Sequence, residues 1–160
     1  MKKNIETFKL PSQSKFILLL IFASFIMSGI IYAQPPLGKI IVNVKGFKSN
    51  DGKARLLIFS AQNKKHFPKD KDSAYAKFIV PIKDNKVIFT FDNLQYGDYA
   101  ISVHHDEDSN GKVNTNWIGM PNESLGASND AKGTFGPPSF DKAKVTLDKE
   151  QISIVINLVN

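Results

Sequence analysis

The stretch His104-His105-Asp106-Glu107-Asp108-Ser109-Asn110-Gly111-Lys112-Val113-Asn114 sets oxygen-bearing side chains at alternate positions around a glycine. A backbone wraps a hard cation in this way, because calcium takes about six to eight oxygen ligands and a short loop supplies them from every second residue. With Asp106 as the first position of a calcium loop, Asp108 is third, Asn110 fifth, Gly111 sixth, the Lys112 carbonyl seventh and Asn114 ninth. The twelfth is Trp117, where a helix-loop-helix calcium hand carries a bidentate Glu. Any remaining ligands must therefore come from elsewhere in the fold. Asp106, Glu107 and Asp108 crowd three carboxylates into one turn, which like-charge repulsion opposes unless a cation intervenes. Without the bidentate Glu, the expected calcium affinity is weak, about 10⁻⁴ to 10⁻³ M. The competing reading is a polar turn whose Asp and Asn side chains bond their own backbone.

Strand alternation sorts the two histidines. His105 is in phase with Tyr99, Ile101 and Val103 and should face the core as a packed, hydrogen-bonded imidazole, whereas His104 faces the other way. A hydrolase using His105 or His104 with Asp106 and a metal-bound water is the enzymatic alternative. The chain has no Cys, no G-x-S-x-G elbow and no H-E-x-x-H helix to support it.

Thr115 to Phe140 loses all alternation and is rich in Gly, Pro and Asn. A connection of this length is either functional or stitched down by its own aromatics, here Trp117, Phe135 and Phe140. Glu123, Asn129 and Asp130 are the oxygen donors that could complete a cation site if it folds back. The candidate contact surface is His105, Trp117, Asn129 and Phe135.

These residues need a scaffold, and period-two alternation supplies it. Ile40, Val42 and Val44 mark one strand, Leu57 and Phe59 a second, Phe78 and Val80 a third, and Val87, Phe89 and Phe91 a fourth. Tyr99, Ile101 and Val103 mark the fifth, Val145 and Leu147 a sixth, and Ile152, Ile154, Ile156 and Leu158 the last. Asn50-Asp51-Gly52 reads as a hairpin between the first two strands, and Asp84-Asn85 as a turn between the third and fourth. Gln62 to Pro68 reads as a Lys-rich surface loop or a short helical turn. The expectation is an all-β, single antiparallel β-sandwich of about seven strands, Ig-like or transthyretin-like, with a long irregular loop.

Residues 1–33 read as a signal peptide: Lys2, Lys3, Lys9 and Lys15 precede an apolar run from Phe16 to Tyr32, and Ala33 offers a cleavage site. Retention as a membrane anchor is the alternative, and no other membrane contact is expected. The domain is then 34–160, exported to the periplasm or outside the cell. Losing the leader removes four lysines and Glu6, leaving 17 basic against 14 acidic residues. That balance describes a solvated surface, not a nucleic-acid footprint.

Phe91-Asp92-Asn93-Leu94-Gln95-Tyr96-Gly97-Asp98-Tyr99 resembles the F-x-N-L-x-x-G-x-Y turn of transthyretin-like and carboxypeptidase-regulatory-like sandwiches, where the tyrosine hydroxyl reaches back to upstream backbone. A second resemblance covers most of the exported part. His105-Asp106, Asn110-Gly111-Lys112, Asn116-Trp117 with Gly119 and Pro121, Ser128-Asn129, Ala131, Gly133 and Phe135-Gly136-Pro137-Pro138-Ser139-Phe140 are similar to an exported bacterial family, the domain of unknown function DUF2141. Ala127 departs from its pattern where an aromatic is expected, and Asn114 where an acid is expected. The resemblance implies kinship without an activity. The expected function is a non-enzymatic binding or assembly module of the cell envelope, with calcium on its acidic loop and an envelope protein or glycan as partner. A structural accessory subunit without metal is the remaining alternative.

Overall fold

The computed structural model describes residues 35–159, and the expected signal peptide lies outside them. Residues 35–160 form a compact unit with its own core. Among the described residues, eight strands make two facing sheets. The smaller has order β4-β1-β8, from β1 (Leu37–Lys45), β4 (Lys86–Gln95) and β8 (Gln151–Asn157), with β1 antiparallel to β4 and parallel to β8. The larger has order β3-β2-β5-β6, from β2 (Lys53–Ser60), β3 (Ala76–Val80), β5 (Gly97–Asp106) and β6 (Leu125–Ala127), and β7 (Val145–Leu147) also pairs with β5.

Alternation decides which side chains meet between the sheets. Ile40, Val42 and Val44 from β1 face Ala54, Leu56 and Ile58 from β2 and Tyr99, Ile101 and Val103 from β5, all buried in one cluster. The Leu57 and Phe59 alternation expected in β2 belongs to the opposite face. There Phe59 joins Phe67, Ala100, Ala127, Phe140 and Ala143 in a second apolar layer beneath the 3₁₀ turn Ala61–His66 and the short helix α1 (Phe140–Ala143). Both faces of β2 and β5 are therefore covered near Phe59 and Ala100, which explains why residues 57–59 are apolar without interruption.

Two turns behave differently from their sequence reading. Asn50-Asp51-Gly52 is not a hairpin, because β1 and β2 sit in different sheets and the segment carries the chain across the sandwich. Its glycine serves close approach: at φ +66°, a Cβ on Gly52 would lie 2.0 Å from the Asp106 carbonyl oxygen. Asp84 and Asn85, both at φ 53°, form a tight turn between Lys83 and Lys86, but β3 and β4 again belong to different sheets. The corner after β4 matches expectation, since the Tyr99 hydroxyl donates to the Gln95 carbonyl at 2.8 Å.

Candidate cation site and the apolar tip beside it

Side chains of β5 alternate to the loop's root. His105 points inward and is fully buried; Asp51 O lies 3.0 Å from its Nε2 and Phe47 packs edge-on against its ring. A carbonyl can only accept, so Nε2 carries the proton. His104 and Asp106 point to the other face, where their β2 partners in register are Arg55 and Lys53. Arg55 Nε donates to Asp106 Oδ2, which also accepts from Gly111 N at 3.1 Å. Asp106 is fully buried, and its Oδ1 has no hydrogen-bond partner.

Glu123 completes this cluster from the far side of the long loop. Its Oε1 accepts from Glu107 N at 3.0 Å, and its Oε2 from Asn114 N at 2.7 Å and His104 Nε2 at 2.9 Å. One buried carboxylate thus clamps both ends of the acidic loop. His104, Asp106 and Glu123 each offer a ligand atom within 4.8 Å of the others. The oxygen donors suit a hard cation, and the imidazole would also accept a softer one. The neighbouring guanidinium offsets part of the negative charge and limits how tightly either could be held.

The outer loop residues serve one another. Asp108 accepts from Asn110 N at 3.0 Å, Asn110 Nδ2 at 2.7 Å and Asn114 Nδ2 at 2.9 Å, and Asn110 Oδ1 accepts from Lys112 N at 2.7 Å. Donation from the Asn114 amide, then from the Asn110 backbone, holds the Asp108 carboxyl below the ordinary carboxylate range. Lys112 N holds Asn110 Oδ1 and Asn110 Nδ2 holds Asn114 Oδ1, so turning either oxygen toward a cation would give up a bond within the loop.

The other proposed donors lie elsewhere. Asn129 Nδ2 donates to Lys144 O at 2.6 Å, while the Asp130 carboxylate accepts from the backbone and side chain of Asn157 at 2.8 and 2.7 Å. Both fasten the long loop to neighbouring segments instead of approaching Asp106. Of the three aromatics expected to stitch that loop, only Phe140 is buried; Trp117 and Phe135 are 95% and 99% exposed. Ser128 does part of the stitching instead, accepting from Ile101 N at 2.9 Å and donating to Ala143 O.

One contributor was not singled out from sequence. Arg55 could have been found as a lone charge between the buried Ala54 and Leu56 of a strand. Asn116, paired with Gly119 in the family resemblance, gains its role here. Its Oδ1 accepts from Ile118 N at 3.1 Å and Met120 N at 2.9 Å, closing a tight turn.

A two-sheet sandwich with an acidic loop at the end of β5 defines the class. The chain belongs to the family described as an uncharacterized protein conserved in bacteria, DUF2141, whose model matches residues 42–155. No curated protein and no solved structure matches it.

Proposed function

We propose that this chain is an exported, non-enzymatic binding module of the cell envelope whose Asp106–Asn114 loop takes up calcium and, once stiffened, presents the neighbouring exposed residues to a partner. The observation that carries the reading is Asp106 Oδ1, a carboxylate oxygen buried without a partner beside a second buried carboxylate, Glu123. An unpaired buried acceptor of this kind costs about 1–3 kcal/mol, and a divalent ion would remove that cost. The hydrolase alternative has less behind it, because His105 is sealed in the core and His104 Nε2 is engaged by Glu123.

Thermal melting of residues 35–160 tests the reading. Calcium at about ten times its dissociation constant should raise the melting temperature by about 3–6 °C in a unit of this size. No shift at millimolar calcium would remove the metal from the proposal.

A further inference from the structure

We infer that the turn Asn116–Met120 is an insertion tip for the interfacial region of a lipid bilayer, so that the partner of the proposed module is a membrane surface. The inference rests on the binding-module reading and names its partner. It also adds to the sequence expectation, which confined membrane contact to the leader.

Three observations point to lipid. Trp117, Ile118 and Met120 are 95%, 60% and 58% exposed on one tight turn, and Val113 is exposed in the loop just before it. They sit at the end of a chain reversal closed by Asn122 N on Asn114 O. A fluid apolar medium can cover such a tip directly, whereas a protein would need a pocket shaped to it.

The backbone gives the second reason. Four of the five N–H groups from Asn116 to Met120 are bonded within the turn: Asn116 N to Met120 O at 2.8 Å, Gly119 N to Asn116 O at 2.9 Å, and Ile118 N and Met120 N to Asn116 Oδ1. Pro121 follows with no N–H to satisfy. Most donors of the turn are thus satisfied, and the carbonyls of Trp117, Ile118 and Gly119 can still meet water in the headgroup layer, which suits interfacial insertion and not deeper burial.

Charge is the third. Lys48 Nζ donates to Asn122 O at 2.8 Å at the base of the turn but is already paired with Glu107 at 3.2 Å, whereas Lys112 is exposed next to Val113. Lys112 suits anionic headgroups, whereas Asp108 repels them until a bound cation offsets its charge. Insertion into anionic vesicles should therefore rise with calcium, while insertion into zwitterionic vesicles should depend on it less.

Trp117 is the sole tryptophan, so its emission reports on the tip. The probes are vesicles of phosphatidylcholine, alone or mixed equally with phosphatidylglycerol, added to residues 35–160 in millimolar calcium or in EDTA. The expected result is a blue shift with quenching by brominated lipid, strongest on the anionic vesicles with calcium. The double variant Ile118→Asp, Met120→Asp should weaken partitioning roughly tenfold or more with its melting temperature unchanged. Emission that ignores every vesicle would overturn the inference, as would a blue shift that follows protein concentration without lipid and so reveals a second copy on the tip. The calcium melting test separates the two proposals. A chain that binds calcium but ignores vesicles loses only the lipid inference, and one that inserts but shows no calcium shift in melting keeps it while losing the calcium loop.

Discussion

Arg55 neutralises only one side of Asp106: its Nε donates to Oδ2, and Oδ1 stays buried with no partner. Replacing Arg55 would leave the buried carboxylate without a countercharge, held only by Gly111 N. Replacing Asp106 with Asn keeps an acceptor for the guanidinium and removes the charge that a cation would meet. The pair thus lets the fold's need for Asp106 be separated from the ion's.

Glu123 is the structural keystone of the loop. Glu123→Ala leaves the N–H groups of Glu107 and Asn114 and the His104 imidazole without their acceptor, and should cost about 3 kcal/mol. Denaturant unfolding measures this directly. A loss below about 0.5 kcal/mol, the scale of an ordinary surface change, would mean that the clamp does not hold in solution.

Ser128 ties the long loop to β5 from within the second apolar layer. Ser128→Ala strips the acceptor from Ile101 N in a fully buried stretch of strand and should cost about 2 kcal/mol. Amide exchange at Ile101 should accelerate in the variant, and unchanged protection there would contradict the assignment.

Acid tests a third fastening, between β5 and β7. The Asp98 carboxyl is held below its ordinary value first by the Thr146 hydroxyl and then by Lys144. A carboxyl depressed in the folded state stabilises fully above its unfolded pKa, about 3.9, and loses that contribution as pH falls through the folded value. Asp98→Asn should therefore melt slightly below the parent at neutral pH, with the gap closing below about pH 4. A gap that widens in acid would show the sign to be wrong.

Much of this architecture is written in local pattern. Ile40, Val42 and Val44, or Tyr99, Ile101, Val103 and His105, alternate because one face of each strand meets the opposing sheet, and that period survives in sequence. β6 carries no such signal: it is three residues long with Gly126 at its centre, where a Cβ would crowd Ile156 and Leu158 at 2.8 Å. Asn50-Asp51-Gly52 announces a turn but not which sheet receives the next strand, since that depends on distant pairing. For the site, the Asp106–Asn114 spacing was legible, and Glu123 was one donor among three. Its choice over Asn129 and Asp130 follows from how the loop folds back, with Asn122 N bonded to Asn114 O, His105 N to Ser124 O and Leu125 opposite His104 in register, geometry that no spacing encodes.

Direct calcium binding tests the central claim most closely. Isothermal titration of residues 35–160 should give saturable binding at one site per chain, with a dissociation constant of about 10⁻⁴ to 10⁻³ M, and Asp106→Asn should weaken it tenfold or more while still folding. Superimposable isotherms for parent and variant, or no binding heat in either at millimolar calcium, would contradict it.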